Sequence, residues 1–233
     1  MGAHRDLAGL WPARPGWPLA LCAALALGPA RPAHAHPVPR GSHDRNVGVR
    51  LAADGVTVHY HLEVDSWTLI FEDLPRVEDR VDVGRLSQPH ELYGAFTRTA
   101  AADLAAGLRA TLDGRPLTFV CVRQEYADRD SVQCDFQFRV AWELSAGRAH
   151  AFAFREGNYD KRPGLVKLSL EAGPSARLVE KSEPDEALQA RPEKELTAED
   201  RERLRNATAT VETNPEGATT EAGVSAPESG SGG

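Results

Sequence analysis

The side chains best suited to metal chemistry in this sequence lie on alternate positions of one short stretch. His59, His61, Glu63 and Asp65 alternate with apolar residues in Val56–Ser66, which reads VTVHYHLEVDS. In an extended strand, residues two apart project from the same face at a spacing of about 6.6 Å. Imidazoles at this spacing reach one ion when their side chains converge, and neutral imidazole suits nickel, cobalt, copper and zinc. The pattern therefore predicts a candidate metal site at His59, His61 and Glu63.

Two further histidines extend this candidate site toward the N-terminus. Cleavage of an export signal after Ala35 would leave His36 as the first residue, with an imidazole and a free α-amine. His43 lies just upstream of the first predicted strand, where it could approach the same face. The alternative interpretation needs no ion, because the solvated face of a half-buried strand requires polar residues in any case. Both interpretations stay open.

The apolar residues of the same stretch predict the element that positions these side chains. Strict alternation over this length predicts a β-strand with one face in a core. A shorter alternating stretch precedes it across Ala52–Gly55, which contains an Asp-Gly turn signal, so the two stretches predict a hairpin. The apolar residues of the two arms are Val47, Val49, Leu51, Val56, Val58, Tyr60, Leu62 and Val64.

One amphipathic helix is predicted in the middle of the chain. Ser87-Gln-Pro89 combines a hydroxyl N-cap with a proline in the first turn, and Gly107 is typical of a helix end. Residues four apart form one apolar stripe that is expected to face the core. The stripe consists of Leu92, Phe96, Ala100, Leu104 and Leu108.

Cys121 and Cys134 are the two cysteines that remain after removal of the signal. Folding Leu117–Leu144 as a hairpin about Ala127 and Asp128 sets the two cysteines opposite each other and every apolar residue on one face. In an oxidising compartment this arrangement predicts a structural disulfide. The bridge would close a loop of about 14 residues and contribute about 3 kcal/mol. A thiol metal site or redox pair is the alternative, but the spacing is not Cys-x-x-Cys.

The 233-residue chain divides by composition into three parts. Residues 1–35 carry basic residues, the apolar run Leu19–Leu27 and the sequence Ala33-His-Ala35, the layout of a secretory signal peptide. Residues 36–182 contain roughly eight predicted strands and one helix, which favours a mainly β fold. We expect a two-layer antiparallel β-sandwich of the immunoglobulin-like type, with the helix inserted. Residues 183–233 are rich in Pro, Glu, Ser and Gly and are predicted to be a disordered tail or linker.

Composition and motifs argue against two classes of function. The net charge of -7 disfavours nucleic acid as a partner. The sequence has no Gly-x-Ser-x-Gly elbow, His-Glu-x-x-His helix or Gly-rich phosphate loop, and no spacing joins Ser66, His90 and His150 into a catalytic set. We therefore expect a non-enzymatic protein outside the cytoplasm, in the periplasm or at the cell surface.

Six short motifs follow one another in a fixed order along residues 36–182. They are Ala35-His-Pro37, His61-Leu-Glu-Val-Asp65, Tyr93-Gly-Ala-Phe96, Leu112-Asp-Gly-Arg-Pro-Leu117, Cys134-Asp-Phe-Gln-Phe138 and Phe154-Arg-Glu-Gly-Asn-Tyr159. Together they resemble the extracytoplasmic N-terminal region of bacterial nickel/cobalt transporters of the NicO type. The resemblance implies an exported domain that is attached to, or works beside, a nickel or cobalt transport system.

The same resemblance implies a membrane transporter subunit as partner. NicO-type transporters carry a membrane half with His-containing helices, and this sequence shows no such segment, so permeation is not assigned to these residues. The resemblance supplies no ligand set, and the histidine site rests on the strand pattern alone.

Three hypotheses result from the sequence. The first is a transport-associated exported domain that binds Ni²⁺ or Co²⁺. The second is a secreted structural or protein-binding sandwich with no metal ligand. The third is a secreted enzyme, which would need a concave pocket with clustered titratable groups.

Overall fold

The computed structural model describes residues 41–145 and 147–213. Within these ranges the chain forms ten β-strands. In chain order they are β1 (His43–Ala52), β2 (Gly55–Val64), β3 (Leu108–Leu112), β4 (Arg115–Leu117), β5 (Val120–Asp128), β6 (Val132–Ala141), β7 (His150–Glu156), β8 (Val166–Ala172), β9 (Ala176–Ser182) and β10 (Asn206–Thr213).

Helical segments connect several of the strands. The α-helices are α1 (Ser66–Thr68), α2 (Pro89–Gly107), α3 (Glu186–Gln189) and α4 (Ala198–Arg203). A π-helical turn occupies Leu69–Asp73, and 3₁₀ turns occupy Leu74–Arg76, Glu78–Arg80, Val83–Arg85 and Glu193–Glu195. Among the described residues, no helix has both the length and the apolar character needed to cross a membrane.

The strands form two five-stranded sheets. Sheet A has the order β5-β6-β2-β1-β8, and sheet B has the order β4-β3-β7-β10-β9. All neighbouring pairs are antiparallel except β1 and β8, which are parallel. Buried residues of both sheets and of α2 belong to one hydrophobic core. The predicted mainly β architecture with two largely antiparallel sheets and one long helix is confirmed.

β2 is the central strand of sheet A, as its alternating sequence predicts. It pairs with β1 on one side and with β6 on the other along its whole length. Its apolar residues Val56, Val58, Tyr60, Leu62 and Val64 are at most 1% exposed. The predicted hairpin and the predicted core face are therefore both confirmed.

α2 forms where the sequence predicts a helix, but its cap differs by one residue. The N-cap is Gln88 rather than Ser87, and Glu91 completes a capping box with it. Hydrogen bonds from the backbone N–H groups of Ser87 and Gln88 lower the pKa of Glu91. At the other end, a Cβ on Gly107 would collide with the side-chain amide of Asn158, so a larger residue here would require that side chain to move.

The segment predicted as a disordered tail from residue 183 is ordered as far as Thr213. α3 and α4 lie within it, and β10 fills the position between β7 and β9 in sheet B. Val211 is fully buried, and Leu188, Leu196 and Leu204 form a small second core with Val166 of β8. The prediction was wrong because sparse apolar residues, spaced along a charged sequence, still face one direction when the chain pairs with the strands of sheet B and packs on β8. Residues 214–233 of the predicted tail and residues 1–35 of the predicted signal lie outside the described residues.

The predicted pairing of Cys121 with Cys134 is also wrong. Asp128 pairs with Val132 across a turn at residues 129–131, so Cys134 lies opposite Tyr126 and Cys121 lies opposite Phe138. Four residues of strand separate the two positions, a distance of roughly 13 Å, which exceeds the Cα separation that a disulfide spans. Both cysteines are free thiols.

The register error has a physical cause in the path of the chain before β5. Leu117 ends β4 in sheet B, whereas Val120 begins β5 in sheet A. The alternating residues Leu117, Phe119 and Cys121 therefore do not belong to one strand. β5 is an edge strand that also has a register shift between Cys121 and Arg123. A single hairpin register cannot be extended through a strand change and a bulge.

The two thiols should react at very different rates in the folded protein. Cys134 is fully buried, and burial raises the pKa of its thiol to about 11, whereas Cys121 is partly exposed. We expect a thiol reagent at pH 8 to label Cys121 readily and Cys134 only on unfolding, because the thiolate is the reactive form. The measurement is thiol counting on protein purified without reductant, before and after denaturation. A denatured, unreduced sample with no reactive thiol would show that the disulfide forms after all.

The ordered C-terminal segment should be necessary for stability. Val211→Asp places an unpaired carboxylate in the core and is expected to lower the free energy of unfolding by about 3 kcal/mol or more. Thr208→Asp, on an exposed position of the same strand, serves as the control and should cost less than about 1 kcal/mol. Urea denaturation of both variants measures the difference. Equal, small losses in both variants would show that this segment contributes little to the stability of the fold.

Candidate metal-binding face

The outer face of sheet A carries the polar residues that the sequence singles out. β2 directs its apolar side chains into the core, so His59, His61 and Glu63 lie on the opposite face, which contacts solvent. His59 is exposed, whereas His61 and Glu63 are partly buried. Of the predicted ligands, His36 lies outside the described residues.

Cross-strand pairing places an acidic residue beside His61. His61 is opposite Asp135 of β6, and Asp135 is in turn opposite Glu125 of β5. Nδ1 of His61 lies 2.8 Å from Oδ1 of Asp135, with 34% and 53% of the two side chains exposed. Since the carboxylate accepts a hydrogen bond, it favours the tautomer with hydrogen on Nδ1. Nε2 of His61 then keeps its lone pair for a ligand.

A shallow cavity of about 420 Å³ opens next to these histidines. Gly48 of β1 lies opposite His59, and Ser169 of β8 lies opposite Gly48. Two small residues in a row therefore produce a depression beside the His59 ring. Arg123 and Glu125 form an exposed ion pair at 3.0 Å and line the same cavity.

Glu63 belongs to the edge of this face and is already engaged. Its Oε1 accepts a 2.6 Å hydrogen bond from the Ser131 hydroxyl, next to the β5–β6 turn. Among the described residues, no three side chains of the His, Cys, Asp or Glu type converge on one ion position. The face therefore offers two imidazoles with a carboxylate behind one of them, rather than a closed coordination shell.

Of the three remaining described histidines, His90 is exposed at the start of α2, and His43 and His150 have other roles. His43 does not approach the outer face, as had been expected, because it lies on the inward-facing side of β1 and is fully buried. Its Nε2 lies 2.8 Å from Oδ2 of Asp73, and its ring stacks on Tyr159. His150 uses both ring nitrogens, since Nε2 accepts from the Ser145 N–H and Nδ1 contacts Asp113 at 2.8 Å. This last contact is the main cause of the lowered pKa of Asp113.

A buried ionic cluster inside the fold escaped the sequence analysis. Glu156 ends β7 and is fully buried, and its Oε2 lies 3.1 Å from Nη1 of Arg205 and 3.7 Å from Nη1 of Arg45. Its Oε1 accepts hydrogen bonds from the Tyr60 hydroxyl at 3.3 Å and the Asn158 N–H at 2.7 Å. Burial raises the pKa of Glu156, and the two guanidinium groups oppose that rise.

This cluster joins the two sheets. Arg45 and Tyr60 come from sheet A, whereas Glu156 ends a strand of sheet B. Both arginines also donate to the carbonyl groups of Asn158 and Tyr159 and so fix the loop that follows Glu156. No periodic pattern distinguishes such residues, because each one interrupts an otherwise apolar face. The only sequence signal is a charged residue at an inward-facing strand position, as at Arg45.

Comparison with known proteins does not assign the chain to a family. No protein-family model matches it, and no curated protein shows significant similarity to it.

Removing the charge of Glu156 should destabilise the fold strongly. Glu156→Gln preserves the shape of the side chain but leaves two buried guanidinium groups without a counter-charge, so we expect a loss of about 3–5 kcal/mol in the free energy of unfolding. Glu202→Gln removes the partner of Arg155 from an exposed ion pair and should cost less than about 1 kcal/mol. Chemical denaturation at pH 7 measures both. If the two variants lost the same small amount, the cluster would not hold the sheets together.

Proposed function

We propose that this chain is an exported, non-enzymatic domain that works beside a nickel or cobalt transport system and binds the ion on the outer face of β2. The ion is cargo that the domain samples before or after passage through a membrane transporter subunit. The observation that supports this proposal is the hydrogen bond between Asp135 and His61, with His59 two residues away on the same face. A carboxylate behind an imidazole is the usual support for a metal-binding histidine.

The chemistry of the two imidazoles suits this cargo. Borderline nitrogen ligands favour Ni²⁺ and Co²⁺ over Mg²⁺ or Ca²⁺, which prefer oxygen. Two protein ligands leave most coordination positions to water, so the ion would bind reversibly and leave easily. Rapid release suits a domain that passes an ion on rather than storing it.

The immunoglobulin-like assignment of the fold belongs to the same proposal. It is supported by two five-stranded sheets that share one core and by the predominance of antiparallel pairs. The parallel pairing of β1 with β8 is compatible with a sandwich whose first strand lies between two sheet neighbours.

A protein-binding domain with no metal ligand is the second candidate. It is favoured by an apolar depression of about 960 Å³ between α2, β3 and the start of β5. Val120 and Val122 are more than half exposed on the adjacent edge strand. Recovery of the same membrane partner with and without chelator would favour this candidate over the metal-binding one.

The two histidines should account for nickel binding. Calorimetric titration of the exported domain with Ni²⁺ is expected to give saturable binding that His59→Ala/His61→Ala abolishes. His90→Ala is the matched control, since it removes an exposed histidine from the start of α2 and should leave the titration unchanged. Identical titrations for the wild type and the double variant would contradict the metal proposal.

Asp135 should strengthen this binding without contacting the ion. Asp135→Asn keeps a hydrogen-bond acceptor near Nδ1 of His61 but removes its charge, and outer-shell changes of this kind weaken metal affinity by about 10- to 100-fold. We expect weaker Ni²⁺ binding with an unchanged thermal midpoint in the absence of metal. Unchanged affinity would show that the carboxylate has no part in the site.

A further inference from the structure

A third cavity, separate from the histidine face, lies where the C-terminal segment packs against β1 and the residue 160–164 loop. Its volume is about 290 Å³, and the apolar part of its wall comes from Val166, Leu196 and Leu204. These three residues belong to the small second core, so the cavity exists only because residues 183–205 fold onto β8. The sequence analysis, which predicted a tail here, could not anticipate it.

The polar part of the wall is strongly basic. Five basic residues line the cavity against two acidic ones. The basic residues are Arg45, Lys161, Arg162, Arg201 and Arg205, and the acidic residues are Asp160 and Glu193.

Part of this charge is already compensated, but the balance stays positive. Arg162 pairs with Glu72, and Oε2 of Glu193 accepts a 3.0 Å hydrogen bond from the Gly164 N–H. Within the described residues, Lys161 forms no ion pair, and the side chain of Arg201 donates only to the carbonyl oxygen of Glu193 at 3.4 Å. Both side chains are exposed and free to turn toward the cavity.

The buried part of the wall carries two cations with one carboxylate in direct contact with them. Arg45 and Arg205 are 2% and 6% exposed, and they share the single carboxylate of Glu156. Burial lowers the pKa of Arg205, and the nearby Arg45 charge adds to this effect. Guanidinium groups stay protonated in proteins. Glu156 therefore balances one of the two charges, and Asp160 attracts Arg205 only at longer range, without forming an ion pair with it among the described residues.

Arg45 also has an unused donor. Its Nε is buried and has no hydrogen-bond partner among the described residues. A buried donor without a partner is costly, and a water molecule could accept its hydrogen bond without balancing the charge. An anion bound in the cavity would balance the charge.

We propose that this cavity binds a small oxyanion of the phosphate type. Arg45 and Arg205 would receive it at the buried side, and Lys161 and Arg201 would close over it from solvent. Guanidinium forks match the oxygen geometry of such anions, and lysine adds a point charge. The same chemistry would accept either a free anion or the phosphate of a lipid head group.

The test is calorimetric titration of the full exported domain with inorganic phosphate at constant ionic strength, together with thermal unfolding at rising phosphate. Saturable binding and a rising thermal midpoint are expected. Lys161→Ala and Arg201→Ala should each weaken binding about tenfold or more, because each removes a charge-assisted contact. Neither residue belongs to the buried cluster, so both variants should fold.

Lys194→Ala is the matched control, since it removes the same charge from an exposed position of the same segment outside the cavity. It should bind phosphate like the wild type. A thermal shift that equimolar chloride reproduces, or an equal loss in Lys194→Ala, would overturn the proposal and leave only general charge screening.

Vesicles that contain phosphatidylglycerol separate the two sources of the anion. Flotation of the domain that depends on Lys161 would identify a lipid head group, and phosphate binding without flotation would identify a free anion. Each result supports the site. The absence of both phosphate binding and flotation contradicts it.

Discussion

β2 is hydrogen-bonded along its whole length to β1 on one side and to β6 on the other. Because side chains alternate between faces, a slip of one residue in either ladder would turn His59 and His61 into the core and expose Tyr60 and Leu62. The cost of exposing fully buried apolar side chains, roughly 1.5–3 kcal/mol each, fixes the register. Burial of the apolar side chains therefore also fixes the position of the imidazoles on the outer face. The candidate site needs no further interaction to keep it there.

The same alternation explains why charges can lie inside. At the end of sheet A where β1 begins, the inward-facing positions change from valine and leucine to His43 and Arg45. A buried arginine needs a counter-charge. Glu156 from sheet B supplies it for Arg45 and also pairs with Arg205 from the C-terminal segment. The ionic cluster thus brings together three parts of the chain that no apolar pattern would connect. Its surplus positive charge is what makes the neighbouring cavity selective for anions in our proposal.

The strands that bury one complete face could be predicted from the sequence, as could α2. β2 and β6 alternate along their length and β1 does so from Val47 to Leu51, so period alone identifies these segments. The pairing of Cys121 could not be predicted, because the chain changes sheets between Leu117 and Val120 without any break in alternation. β10 could not be predicted either, since Ala207, Ala209 and Val211 alternate with threonine in a small-residue sequence that resembles a linker.

The candidate site was predictable in part for the same reason. The shared face of His59 and His61 depends only on the period of one strand. The position of Asp135 beside His61 depends on which strand lies next to β2 and on the register of that pair. Both are long-range properties of the sheet. The cavity beside His59 depends in addition on Gly48 and Ser169, which come from two further strands.

The most direct test of the central claim is an NMR titration of the imidazole resonances with substoichiometric Ni²⁺, which is paramagnetic and broadens nuclei close to it. Eight histidines occur in the sequence. Of the described ones, His43, His90 and His150 report on positions away from the outer face of β2. If β2 presents a nickel site, the resonances of His59 and His61 broaden first and together, and those of His43 and His150 stay sharp. Uniform broadening, or broadening that begins at His43, His90 or His150, would contradict the account.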